Sequence, residues 1–137
     1  MGLYLCVFDG DEEVDGVEVG SYDDFGKFRD AVRALLEGGR AGSRFPMLML
    51  HSDSDGCWSQ KDAVALRDEL RTISAEFRTL PPIKLSSGWQ DAVAKRVGLS
   101  PENLYQCFFD VDGEPLIDRV IGLCDIAIDK DRSIIFQ

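Results

Sequence analysis

The chain has 137 residues, 45% of them apolar, which suits one globular domain built around one core. Its formal net charge of −10 argues against nucleic acid as a partner, because phosphate binding needs Lys and Arg to displace counterions, and it suits a basic partner. The longest apolar runs, residues 3–8 and 45–50, are too short to span a bilayer.

Residues 3–8 are rich in strand formers and read as a buried first strand. An acidic, glycine-punctuated loop is expected over residues 9–20, with a short edge strand at residues 17–19. Ser21 is placed to cap a helix, with Asp24 three residues on. Phe25, Phe28, Val32, Leu35 and Leu36 would line one face of that helix, and Gly38-Gly39 would end it. Residues 46–50 read as a second strand. Ser59 caps the next helix, where Ala63, Leu66, Leu70, Ile73 and Phe77 recur at spacings of three and four.

Pro81-Pro82 stops that helix, and residues 83–85 suggest a short strand. Ser87 with Gln90 starts a short helix ending at Gly98, and Ser100-Pro101 starts another turn. Residues 106–111 read as a strand and Asp112-Gly113 as a turn. Pro115 leads a helix buried through Ile117, Val120, Ile121, Cys124 and Ile128, and residues 133–136 close as a strand. The expected fold is α/β, with α+β as its variant. It would be a single compact domain over residues 1–137, with a mixed sheet of about four to five strands and three to four helices packed on it.

The first residues lack the pattern of a secretory signal, and Cys6, Cys57, Cys107 and Cys124 show no C-x-x-C spacing. A cytoplasmic location with free thiols is the expectation. Four constellations bear on chemistry. Val7-Phe8-Asp9-Gly10-Asp11 places two carboxylates after a strand, as haloacid-dehalogenase-like phosphatases do for phosphoryl transfer, with Ser52 and Asp110 as candidate helpers. Glu13 departs from that pattern, and the surrounding acids would repel phosphate. His51, Asp53, Asp55, Gly56 and Asp62 imitate the register of a calcium loop, but His51 stands where an Asp is wanted. Cys57 lies close to the one histidine and to a helix start, the setting of an activated thiolate. Ala94, Gly98 and Leu104 imitate a DNA-binding helix-turn-helix, yet residues 101–110 carry Glu102 and Asp110 and no Lys or Arg. None of the four completes a site, so no catalytic residue, metal or cofactor is expected.

The acidic run is the remaining feature. Asp9, Asp11, Glu12, Glu13, Asp15, Glu18, Asp23 and Asp24 precede the first cation, Lys27. Asp23 and Asp24 fit the first turn of a helix, where the dipole favours anions. Asp11, Glu12, Glu13, Asp15 and Glu18 are therefore the candidate partner-binding residues.

Taken whole, residues 2–22 (GLYLCVFDGDEEVDGVEVGSY) resemble the opening of a bacterial immunity family, immunity protein 70. The segments FPMLMLHS at 45–52, DVDGEPL at 110–116 and IIFQ at 134–137 are similar to it as well, so the resemblance runs almost the whole chain. It implies a non-enzymatic member of a polymorphic toxin system that neutralises a cognate toxin domain by stoichiometric occlusion. It carries no residue-level motif. The competing expectation is a small phosphatase-like hydrolase using Asp9 and Asp11.

Overall fold

The structure is a computed structural model that describes residues 2–52, 56–84 and 88–137. Strand β1 (Gly2–Asp9) turns through Gly10-Asp11 into β2 (Glu12–Ser21), which runs directly into helix α1 (Tyr22–Leu36). A short helix α2 (Pro46–Met49) and a two-residue strand β3 (Cys57–Trp58) lead to α3 (Gln60–Phe77). After α4 (Gly88–Val97) come a 3₁₀ turn (Tyr105–Cys107), helix α5 (Leu116–Lys130) and strand β4 (Ile134–Phe136). The strands form one four-stranded sheet in the order β2-β1-β4-β3.

The α/β reading and the strand number hold. The expected mixed sheet is corrected, because every pairing is antiparallel, and five α-helices are described rather than three to four. The parallel content was inferred from strands alternating with helices, but β1 and β2 form a tight hairpin and β4 returns against β1. The acidic "loop" is itself a ten-residue strand. Its charges concealed it, since β2 buries only Val17 and Val19 and leaves Glu12, Glu13, Val14 and Glu18 exposed.

Both serine caps are formed. Ser21 and Asp24 exchange a full capping box, as do Ser59 and Asp62, each satisfying orphan amides of a first turn. Residues 46–50 do not form the expected strand. Pro46 sits at the start of a helical turn whose Met47 and Leu48 amides donate to the Glu69 carboxylate at 3.0 and 2.9 Å. A short apolar run does not distinguish strand from buried helix, and here a carboxylate from α3 decides it.

Residues 106–111 are likewise not a strand. They comprise the end of the 3₁₀ turn and one isolated bridge, Phe109 to Pro115, which splits Phe108 and Phe109 between two clusters. Ile83 and Lys84 are irregular, and Leu85 and Ser87 lie outside the described residues.

The main core lies between α1, α3, α5 and one face of the sheet. It takes Leu3, Leu5, Val7, Val17, Val19, Trp58, Ile134 and Phe136 from the strands, and Phe28, Leu66, Leu70, Ile73 and Leu123 from the helices. Helix α4 belongs to a satellite cluster with Phe109, and Trp89 donates to Asp24 at 3.0 Å, tying α4 to the β2–α1 junction.

Candidate functional site

Strand register decides which side chains share the face of the sheet turned away from the helices. Tyr4 is opposite Glu18, Cys6 opposite Gly16 and Phe8 opposite Glu13. Across β1, Cys6 is opposite Ile135, which is opposite Cys57. Directly paired residues point the same way, so these side chains form one surface. Tyr4, Cys6, Phe8 and Ile135 stand outside the main core cluster.

Two breaks in the β1–β2 register, between Leu3 and Tyr4 and between Val7 and Phe8, shape this surface. The second skips Val14, so that Phe8 meets Glu13 instead. A bulge of this kind re-aims a side chain, and here it puts a carboxylate beside the aromatic ring.

Gly16 makes room for the Tyr4 ring on the same surface. A Cβ there would stand 1.9 Å from the Tyr4 hydroxyl oxygen and 2.3 Å from Cζ, so the ring lies across β2 where any other residue would stand. The hydroxyl hydrogen-bonds to Glu13. Partial burial, aided by that bond and by the Glu13 charge, pushes the phenol up to about 12.

Of the expected partner-binding residues, Asp11, Glu12, Glu13 and Glu18 are exposed. Asp15 is half-buried and already engaged. It accepts from the Gly16 amide at 2.8 Å and pairs with Arg119 at 3.4 Å, while Arg119 also reaches Asp110 at 3.3 Å. Burial works against the charge on Arg119, but the two carboxylates outweigh it and raise its pKa. Arg119 further donates to the Gly16 carbonyl at 2.7 Å, and the Val111 amide donates to the Glu18 carbonyl at 3.2 Å. These bonds occupy part of the outer edge of β2, an edge that would otherwise invite strand addition. Sequence reading missed this network, since no local pattern links residue 119 to residue 15.

Several members of the enzymatic constellations are engaged elsewhere. Asp9 pairs with Arg132 at 2.8 Å beside the hairpin turn. Asp110 is buried and accepts from the amides of Asp112 and Glu114 at 2.9 and 3.0 Å, which builds the turn before α5. Among the described residues the sheet has no parallel strands at whose carboxyl ends a phosphatase site would gather.

Both His51 ring nitrogens lie within hydrogen-bond distance of carbonyl oxygens, those of Ser52 and Cys57, at 2.7 and 2.9 Å. The ring stacks on Phe136 with centroids 4.5 Å apart. A nitrogen occupied by the Cys57 backbone is not poised to activate the Cys57 thiol, which is exposed. Of the calcium-like loop, Asp62 serves the α3 cap, and Asp53 and Asp55 lie outside the described residues. No cluster of three or more potential metal ligands occurs among the described residues. The helix-turn-helix likeness fails on structure, because α4 is followed by irregular chain and a 3₁₀ turn instead of a second helix.

Other depressions exist. One, of about 410 Å³, lies between α1 and the chain before α4 and is lined by Ala31, Leu35, Ile83, Gln90 and Cys107. Its exposed surface is mainly apolar, and Asp24, Lys27, Asp30 and Lys84 also line it. All four cysteines are free, and burial pushes the Cys124 thiol up to about 12, the opposite of an activated nucleophile. No described helix is long and apolar enough to cross a membrane.

The family model described as immunity protein 70 matches residues 3–136. Comparison with curated proteins gave no match, and neither did comparison with solved structures.

Proposed function

Because the chain belongs to the immunity protein 70 family across residues 3–136, we propose that it neutralises a cognate toxin domain by binding it stoichiometrically. The family assignment carries this reading, and it points to a non-enzymatic role. Two features of the molecule support it. Of the residues that would form a phosphatase or thiol site, Asp9 is held in an ion pair, Asp110 in a turn and His51 against backbone carbonyls, while Asp11 and the Cys57 thiol stay exposed. The carboxylates of Asp11, Glu12, Glu13 and Glu18 stand on one exposed hairpin, with Asp15 beside them.

In this reading those five residues belong to the toxin-binding surface, and the toxin face that meets them is basic. Their charge acts first on encounter, since long-range attraction raises the association rate and is screened by salt. Asp15 contributes least, because Arg119 already offsets it.

The test is co-expression with the toxin domain encoded beside this protein, followed by purification of the pair. Growth should be restored, and light scattering should show a one-to-one complex whose toxin activity falls in proportion to the protein added. Protection at far below equimolar protein, without a complex, would contradict occlusion and point to catalysis.

A further inference from the structure

The strands contain Asp9, Glu12, Glu13, Asp15 and Glu18 and no lysine or arginine. On the face turned away from the helices, Glu13 and Glu18 flank the Tyr4 ring that lies across Gly16. Neither carboxylate forms an ion pair among the described residues. Phe8 and Ile135 continue the surface as half-buried apolar side chains.

An aromatic ring beside two carboxylates that carry no ion pair among the described residues, one of them hydrogen-bonded to the ring's own hydroxyl, is suited to a guanidinium. The planar cation stacks on the ring while its N–H groups reach the oxygens, and its weak hydration lowers the cost of burying it. A lysine would gain the charge but not the stacked plane. Nucleic acid and anionic lipid surfaces are repelled by the same carboxylates. A second copy of the chain would bring like charges together on a molecule of net charge −10.

We propose that the uncovered sheet face is the docking surface, and that it receives an arginine side chain of a basic protein partner on Tyr4, between Glu13 and Glu18. The proposal rests on the toxin-binding reading and narrows it, because it moves the contact from the hairpin tip to the sheet face behind it. The register breaks and Gly16 then have a purpose beyond folding: they bring the two carboxylates and one flat ring together.

The experiment titrates isotope-labelled full-length protein with a short oligo-arginine peptide, and with an oligo-lysine peptide of equal length, following amide shifts by NMR. Shifts should centre on residues 4–8, 13–18 and Ile135, and arginine should bind more tightly than lysine. Tyr4→Leu, which keeps an apolar side chain but has no π face, should weaken the arginine peptide about three-fold, as expected for losing an exposed cation–π contact. Glu18→Gln, at an exposed position, should weaken it by a similar factor and leave the fold intact.

Shifts centred on the helices or on the hairpin tip would overturn the proposal, as would unchanged affinity in both variants. A dimer in sedimentation that Ile135→Glu dissociates would also overturn it, giving the face to a second copy. The proposed function fails separately. Toxin protection that survives Tyr4→Leu with Glu18→Gln contradicts the docking face alone, whereas face-centred peptide binding without any protection contradicts the toxin reading alone.

Discussion

On β1 the side chains of Leu3, Leu5 and Val7 are fully buried against the helices, while Tyr4 and Phe8, one residue along in each case, are half exposed on the opposite face. On β2 the same division separates Val17 and Val19 from Glu13 and Glu18. The inner face is continuous with the core through Trp58, Ile134 and Phe136. The outer face carries a ring laid on glycine, the fully buried Cys6, and Glu13 and Glu18, which form no ion pair among the described residues. Alternate residues of the same strands thus separate the core from the proposed docking face. Substitutions one position apart should therefore differ sharply in what they damage.

The largest difference is expected in stability. Leu5 is fully buried, and Leu5→Ala should cost about 2–5 kcal/mol, the range for removing a core leucine, as read from urea unfolding. Glu18→Ala on the other face should change stability by about 0.5 kcal/mol or less. Equal losses would mean that the outer face is packed as tightly as the inner one.

Next comes the connection between the two faces. Asp110 is buried and holds two turn amides and Arg119, which in turn holds Asp15 and the Gly16 carbonyl. Asp110→Ala leaves these donors unsatisfied and the guanidinium short of a counter-charge, so a loss of about 2–4 kcal/mol is expected. The β2 amide signals should shift along with those of α5. A loss confined to the turn, with β2 unmoved, would separate the hairpin from the helical layer.

Smaller again are the caps, which serve folding alone. Ser21→Ala and Ser59→Ala should each cost about 1 kcal/mol in thermal unfolding. Neither should alter partner affinity once the protein is folded. An affinity change in Ser21→Ala would mean that the β2–α1 junction, where Trp89 meets Asp24, takes part in recognition.

What the sequence shows of this arrangement follows from range. Capping serines, the three-four spacing of Ala63 to Phe77 and the glycine stop after α1 act within a few residues, and all were readable. The strand at residues 46–50 was misread because its helical form depends on Glu69, some twenty residues away. Strand β2 was underestimated because its charges face solvent, so the alternation of Val17, Glu18 and Val19 was legible only at its centre. Tyr4 and Phe8 were read as buried because an apolar β1 does not reveal which face lacks a cover. Gly16 and Glu13 reach their places through register and a bulge, which pairing alone establishes.

The smallest effect is a pH dependence. Tyr4 and Tyr105 both keep their protons to about 12 rather than 10.0, through burial first and then through hydrogen bonds to Glu13 and Asp118. The unfolded chain releases these protons above about 10 while the folded chain retains them. The contribution is therefore complete below pH 10 and is lost as pH rises from 10 towards 12. Tyr4→Phe should remove the outer-face share of that decline and Tyr105→Phe the helical-layer share. An unchanged slope in Tyr4→Phe would deny the raised Tyr4 pKa.

The central claim is that recognition resides on the acidic hairpin and its open face while the helical layer only supports it. Its most direct measurement is the association rate with the cognate toxin at low and high salt, for the native chain and for one with Asp11, Glu12, Glu13, Asp15 and Glu18 changed to their amides. Slower association is expected in the variant, with a clearly shallower salt dependence and a melting curve that confirms a folded protein. An unchanged on-rate and salt slope in a folded variant would contradict it and place the interface elsewhere.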